Sequence, residues 1–90
     1  MRLDEEIGVT YRQLDWWTRQ GYLHAREETG SGYSRSYTES EKNVARLMGR
    51  LVRVGFSAGF AGKVARAFLE GDRESKVVDL GEGIKIRILE

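Results

Sequence analysis

The fold is decided between residues 9 and 37, a stretch that opens with Val9-Thr-Tyr-Arg-Gln-Leu-Asp-Trp-Trp-Thr-Arg-Gln-Gly-Tyr-Leu23 and closes with Gly30-Ser-Gly-Tyr-Ser-Arg-Ser-Tyr37. Thr10 and Gln13 have the spacing of a capping box, in which the threonine hydroxyl accepts from the Gln13 backbone N–H and the amide reaches back to the Thr10 N–H. Gly21 is suited to end the helix. The sequence therefore predicts a short helix followed by a two-stranded hairpin.

The two faces of this helix differ in composition. At about 100° per residue, Leu14 and Trp17 share one face with Thr10 and Gly21. The opposite face carries Arg12, Gln13, Trp16, Arg19 and Gln20. We expect Trp17 to lie in the core and Trp16 to be at least partly exposed, where a large apolar ring is costly unless it meets a partner. The alternative is that both rings pack beneath the hairpin.

Residues 22–37 have the composition of a hairpin with a glycine turn. Gly30-Ser31-Gly32 supplies backbone freedom for a tight reversal. The residues that favour strands on either side are Tyr22, Leu23 and His24, then Tyr33 and Tyr37. Arg26 and Arg35 flank the hairpin, and their guanidinium groups, with Tyr33 and Ser34 as neutral donors, are suited to phosphate oxygens. A merely solvated basic loop is the alternative.

Two further helices are predicted after the hairpin. No acidic residue occurs between Lys42 and Leu69. The first helix carries a basic stripe, Lys42, Arg46, Arg50 and Arg53, opposite an apolar face of Val44, Leu47, Met48, Leu51 and Val54. Such a stripe is either a solvated face or runs along phosphates or an acidic partner. Gly55-Phe56-Ser57 ends this helix, and the core face of the next one is Phe60, Val64 and Phe68. Gly59 and Gly62 there permit close approach of neighbouring backbone.

The last sixteen residues alternate between apolar and polar side chains. Lys76 to Leu80 and Ile84 to Ile88 flank a Gly81-Glu82-Gly83 turn, which predicts a β-hairpin with Ile84, Ile86 and Ile88 on one face. Because an isolated hairpin is marginal in water, we expect this one to pack on the core of the same domain. Pairing with another molecule is the alternative.

Composition excludes several classes of protein. The chain has 90 residues, no cysteine, a single histidine and a net charge of +1. The absence of cysteine excludes disulfides and thiolate metal sites, and the lone His24 is expected to be a surface residue and not a ligand. No phosphate loop, nucleophile with a base, or paired carboxylates are visible, and runs such as Asp4-Glu5-Glu6 look exposed. We therefore expect no enzyme activity, no cofactor, no membrane span and a cytoplasmic, nucleoid-associated protein.

Three segments together resemble the MerR-type winged helix-turn-helix proteins. Residues 10–23 resemble the recognition helix, commonly Ser-Pro-x-Thr-Leu-Arg-Tyr-Tyr-Glu-x-x-Gly-Leu-Leu, and are closer to the Thr-Tyr-Arg-Gln-Leu-Asp-Tyr-Trp-like form of small actinobacterial or actinophage members. Residues 30–41 resemble the wing and the start of the next helix, and residues 51–69 resemble the Leu-x-x-x-Gly-Phe-Ser-x-x-x-Ile turn and helix. The resemblance covers about residues 7–70. It implies a mainly α fold with a small β component, in which a short first helix, a recognition helix, a β-hairpin wing and two further helices precede the C-terminal hairpin.

The chain also departs from that family. The first helix is predicted to be only one or two turns, within residues 3–7. Asp15 stands where many relatives have Arg, and we expect it to orient Arg12 or Arg19 at helical spacing. The long dimerising helix and effector domain of the family have no counterpart, so we expect no small-molecule effector. The predicted organisation is a DNA-binding domain over residues 1–74 with the hairpin of residues 75–90 packed on it.

The resemblance and the residues predict sequence-specific binding of double-stranded DNA by a small transcription regulator. The candidate DNA-binding residues are Thr10, Arg12, Gln13, Trp16, Arg19, Gln20, Arg26, Tyr33, Ser34, Arg35 and Lys42. One alternative is an excisionase-like recombination directionality factor of phage or prophage, and another is a protein-interaction module. The partners expected besides DNA are further copies on DNA and either RNA polymerase or an integrase.

Overall fold

The described residues form four helices and one small sheet, which confirms the prediction of a mainly α protein with a C-terminal hairpin. The computed structural model describes residues 3–26, 36–71 and 74–89. In chain order the elements are α1 (Leu3–Ile7), α2 (Tyr11–Arg19), α3 (Glu39–Arg53), α4 (Ala58–Glu70), β1 (Val77–Gly81) and β2 (Ile84–Arg87). The first helix is as short as the sequence predicts. No helix in the described part of the chain has both the length and the apolar character needed to cross a membrane.

Hydroxyl side chains set the beginnings of three helices. The predicted capping box of α2 is confirmed, because the Thr10 Oγ1 accepts from the Gln13 N–H at 3.0 Å and the Gln13 Oε1 accepts from the Thr10 N–H at 3.0 Å. Thr38 and Ser57 accept in the same way from the third residue of α3 and of α4. Gly21 follows α2 at φ +82°, a conformation that glycine adopts without strain.

The core is built mainly where α3 packs against α4. Val44, Leu47, Met48 and Leu51 of α3 meet the buried face of α4, and α2 adds Leu14 and Trp17 to the same cluster. Gly59 and Gly62 permit a close approach as expected, but the neighbour is a side chain and not a backbone. A Cβ at Gly59 would lie 3.1 Å from the Tyr22 hydroxyl, and one at Gly62 would lie 3.5 Å from the Tyr22 Cβ.

Two residues predicted for the core are exposed instead. Val54 is the residue after α3 and is 76% exposed. Because α3 ends at Arg53, the helical period no longer determines where the Val54 side chain points. Phe60 is 40% exposed in the first turn of α4, where its ring packs edge-on against Phe56 with centroids 5.8 Å apart. Val64 and Phe68, further along the same face, are buried as predicted.

The C-terminal hairpin closes through Glu82 and Gly83, which have positive φ like Gly81 before them. Two consecutive residues of that kind make the type I′ turn that matches the twist of a hairpin. Its strands are antiparallel, with Val78 opposite Ile86. Burial falls towards the turn along β2: Ile88 is buried, Ile86 is half-buried and Ile84 is exposed. Val78 and Ile88 belong to the same buried cluster as α3 and α4, so the open end of the hairpin lies on the helices and the turn projects beyond them.

Candidate nucleic-acid interface

The exposed face of α2 borders a groove of about 420 Å³, the α2 groove. Its lining includes Thr10, Arg12, Gln13 and Trp16 from the start of α2, with Val52 and Ala58 from α3 and α4. Four of the residues predicted to bind DNA therefore share one concave surface. Arg12 is exposed there, and within the described part of the chain its side chain makes no ion pair or hydrogen bond.

Trp16 and Trp17 point to opposite sides of α2, as the helical period predicts. Trp17 is 2% exposed and belongs to the core cluster, whereas Trp16 is 48% exposed. The alternative in which both rings are buried is wrong. The Trp16 ring meets Tyr22 edge-on, with centroids 5.8 Å apart, so it has one packing partner although about half of its surface faces solvent.

Thr10 and Gln13 also form the capping box of α2 at this surface. The Gln13 Oε1 accepts from the Thr10 N–H, and the Thr10 Oγ1 accepts from the Gln13 N–H. Because the Thr10 N–H is a donor, the amide atom that it meets must be the Gln13 oxygen, and the NH₂ group of Gln13 is left free. The Gln13 Oε1 also accepts from the Thr10 hydroxyl at 3.4 Å. Gln13 can therefore donate to a base or a phosphate, but a bidentate contact to adenine would have to compete with the capping box for its oxygen.

Arg19 and Gln20 lie at the other end of α2, and both are exposed. Asp15 orients Arg19, one of the two residues expected for this role: the Arg19 Nε and the Asp15 Oδ2 are 2.9 Å apart. Part of the Arg19 charge is therefore balanced within the helix. Gln20 caps the end of α2: its backbone N–H donates to the Trp16 carbonyl, and the N–H of the following Gly21 donates to the Thr18 carbonyl.

The flanks of the wing are not strands, which corrects the prediction for residues 22–24 and 37. Leu23 and Tyr37 are buried in the core and the Tyr37 hydroxyl lies 2.8 Å from the Thr18 hydroxyl. Since Leu23 also donates its N–H to the Trp17 carbonyl, this flank completes the end of α2 instead of pairing with a neighbouring strand.

The base of the wing is nevertheless closed. The Arg26 N–H donates to the Ser36 carbonyl at 2.8 Å, which joins the two flanks. The Arg26 side chain is exposed, and in the described ranges it makes no ion pair or hydrogen bond. The predicted turn and three candidate residues, Tyr33, Ser34 and Arg35, lie outside the described residues.

An ion pair that the sequence analysis did not find holds the flank before the wing. The two terminal guanidinium nitrogens of Arg66, Nη1 and Nη2, donate to the Glu41 carboxylate at 2.8 Å, and Nη2 also donates to the Tyr22 carbonyl at 2.8 Å. The carboxylate accepts in addition from the His24 N–H at 2.7 Å. The hydrogen bonds from Arg66 hold the pKa of Glu41 below its usual value, against the opposing effect of burial. In the sequence, the Thr38-x-x-Glu41 spacing indicates only the start of a helix. The neighbouring residues do not show that Glu41 pairs with Arg66, which lies 25 residues further along the chain.

A second groove, the α4 groove, lies on the other side of the Trp16–Tyr22 contact. Its volume is about 560 Å³, and its lining includes Gly21, Tyr22, Phe60, Lys63 and Arg66. Lys63 is exposed, and its ammonium group makes no contact with an acidic group in the described residues. Lys63 belongs to no charge stripe or motif in the sequence, so only the tertiary fold shows that it borders this groove.

The basic stripe is occupied by contacts within the chain. Arg53 donates to the Ile7 carbonyl at 3.1 Å, and Arg50 donates to the Leu89 carbonyl at 2.6 Å. Arg46 pairs with Glu6, which lowers the pKa of that carboxyl through the hydrogen bond. Lys42, the member predicted to touch DNA, lies 3.3 Å from a Glu39 carboxylate oxygen. The stripe therefore joins α1 and the hairpin to α3, a third role that was not foreseen.

The carboxylates do not form a catalytic or metal-binding arrangement that the described residues reveal. Within residues 3–26, 36–71 and 74–89 no cluster of three or more His, Asp or Glu side chains has the geometry to hold a metal ion. Asp4 is buried, which corrects the expectation that the run Asp4-Glu5-Glu6 is exposed throughout, whereas Glu5 and Glu6 are exposed.

Comparison with known proteins gives one family. The model of that family, described as "MerR HTH family regulatory protein", matches residues 2–67, and thus includes α1 to α3 and most of α4. No curated protein and no solved structure matches the chain.

Proposed function

The chain belongs to the MerR HTH family of DNA-binding regulators, and from that premise we propose that it binds specific sequences of double-stranded DNA as a transcription regulator. The family match itself supports DNA binding in general. We further propose which surface of the chain contacts the DNA. In this proposal the exposed face of α2, around Arg12, Gln13 and Trp16, contacts the bases. Arg26 and Lys63 contact phosphates. Tyr33, Ser34 and Arg35 of the wing are proposed to contact phosphates as well.

The distribution of unpaired positive charge carries this proposal. A net charge of +1 gives little general attraction to DNA. The arginines of the basic stripe donate to other elements of the chain, whereas Arg12 and Lys63 are exposed in the two grooves that flank the Trp16–Tyr22 contact. An unpaired cation needs no internal contact to break before it meets a phosphate. Among the described residues, the hairpin also carries exposed cations without a partner, namely Lys76, Lys85 and Arg87. They lie outside residues 2–67, which the family model matches, so we favour the α2 side as the site of charge neutralisation.

The remaining candidate residues are assigned by the same criterion. Arg19 and Gln20 are exposed at the end of α2, and we assign them phosphate contacts, with Asp15 holding Arg19 in place. Thr10 is assigned the role of holding Gln13. Lys42 is the weakest candidate because it already has a carboxylate partner. Further copies of the chain and RNA polymerase are the partners that a promoter-bound regulator of this kind needs.

Selection of bound fragments from genomic DNA tests the function. We expect fragments that share one sequence motif and map upstream of genes, and we expect Arg12→Ala to recover few of them. Lys85→Ala, which removes an equal charge from the hairpin, serves as the control and should recover the same set. Fragments that map to a recombination attachment site would replace the regulator with the excisionase-like role. Recovery of no duplex DNA would favour the protein-interaction module.

A further inference from the structure

Residues 22–26 connect the end of α2 to the wing, and their backbone is anchored at two points. The Tyr22 carbonyl accepts from Arg66 of α4, and the His24 N–H donates to Glu41 of α3, at 2.8 and 2.7 Å. These two backbone groups belong to alternate residues of the same flank. Glu41 and Arg66 in turn bind each other through two hydrogen bonds. One ion pair therefore links the flank to both long helices.

The geometry of the pair makes it a rigid support. The guanidinium fork binds both carboxylate oxygens, which fixes the relative orientation of the two groups as well as their distance. The side chains are 27% and 12% exposed for Arg66 and Glu41, so the pair is screened less by solvent than a surface ion pair. Tyr22 packs against Gly59 and Gly62 directly beside it, which leaves the flank little freedom to shift.

We propose that the Glu41–Arg66 ion pair is a positioning device, which sets where the base of the wing and the Arg26 side chain meet DNA without touching DNA itself. Arg26 lies two residues beyond the anchored His24 and its N–H closes the base of the wing. A phosphate contact needs the guanidinium within hydrogen-bonding distance, so a small displacement of the flank is enough to lose it. The inference rests on the proposed function, since it needs Arg26 at the DNA.

A double-mutant cycle tests this directly. Glu41→Gln keeps the shape and an acceptor oxygen but removes the charge, and it is combined in turn with Arg26→Ala and Arg12→Ala. Binding to one duplex is measured at a temperature where circular dichroism shows every variant folded. We expect Arg26→Ala to weaken binding several-fold in the wild type but less than twofold beside Glu41→Gln. Arg12→Ala should cost the same factor in both backgrounds, because Arg12 lies in the first turn of α2, at the end opposite to the flank that the pair holds.

The salt dependence provides a second readout that a merely structural role would not change. Glu41→Gln should flatten the slope of log K against log salt by about 0.9, the value for one lost phosphate contact. Should Glu41→Gln fail to fold, Arg66→Lys keeps the charge but loses the fork, and the same cycle is run with it. Equal effects of Arg26→Ala in both backgrounds would overturn the positioning role while leaving the proposed function intact. If Arg12→Ala and Arg26→Ala both left wild-type binding unchanged, the proposed interface itself would be refuted.

Discussion

At the scale of single residues, the adjacent tryptophans show how far helical phase determines a role. The period of 3.6 residues separates Trp16 from Trp17 by about 100°, and the structure places the first at the surface and the second in the core. The phase alone was sufficient here because Leu14 marks the buried side. Phe60 was misplaced because the period gives the direction of a side chain and not whether a neighbouring element reaches that turn of the helix.

Alanine at the two tryptophans should separate stability from binding. Trp17→Ala should reduce the free energy of unfolding by about 3 to 5 kcal/mol, because it leaves a large cavity among α2, α3 and α4. Trp16→Ala should weaken DNA binding with a much smaller effect on melting. Thermal unfolding and duplex titration of the same two variants make the comparison. Greater destabilisation by Trp16→Ala would show that the faces are reversed.

Gln13 should affect helix stability and DNA readout separately. Gln13→Glu retains an acceptor for the Thr10 N–H and so should preserve melting, but it removes the NH₂ group that is free to contact DNA. Gln13→Ala removes both, and we expect it to lose about 1 to 3 kcal/mol of discrimination at one base position. Binding to a panel of single-base variants of the site measures this. Full discrimination by Gln13→Glu would exclude donation from the Gln13 amide.

At the scale of elements, the sequence specified helix starts and turns better than the contacts between elements. The capping box of α2, the breaks at Gly21 and Gly55, and the turn at Glu82-Gly83 depend on neighbouring residues, so their signals are local. The partners that Arg46, Arg50 and Arg53 of the basic stripe meet on other elements lie about forty residues away along the chain. The Glu41–Arg66 pair is of the same kind. Charge patterns in a single sequence identify such groups but do not show which partner each one meets.

The hairpin contains a matched pair of isoleucines that tests its packing. Ile88→Ala should lower the free energy of unfolding by about 2 to 5 kcal/mol, because Ile88 lies in the core cluster. Ile84→Ala, the same change on the same face near the turn, should change it by less than about 0.5 kcal/mol since Ile84 is exposed. Urea unfolding of both variants provides the measurement. Equal effects would contradict the observed fall in burial along β2.

Acid should weaken the contact between α3 and α4. Because the folded state lowers the pKa of Glu41, the stability from this carboxylate is fully present above its unfolded pKa of about 4.3. It is lost as the pH falls through the lower folded value. The melting temperature of the wild type should therefore decrease below about pH 4.5 more steeply than that of Glu41→Gln. Parallel decreases in the two proteins would remove Glu41 from the acid response.

At the scale of the whole molecule, charge is divided between two tasks. Arg46, Arg50 and Arg53 stabilise the arrangement of α1, α3 and the hairpin, whereas Arg12 and Lys63 remain unpaired beside α2. The sequence predicted the fold and much of the α2 surface because the helix carries both in one local pattern. It did not distinguish the two classes of basic residue, since that difference depends on which groups the tertiary fold brings together.

Salt dependence of duplex binding tests the central claim, that the α2 side is where DNA binds. Binding to the selected site is titrated over a range of salt concentrations with wild type, Arg12→Ala, Lys63→Ala and the control Lys85→Ala. The account predicts that log K falls linearly with log salt, and that the first two variants flatten the slope by about 0.9 each while Lys85→Ala leaves it unchanged. A slope that only Lys85→Ala flattens would place DNA at the hairpin and contradict the account.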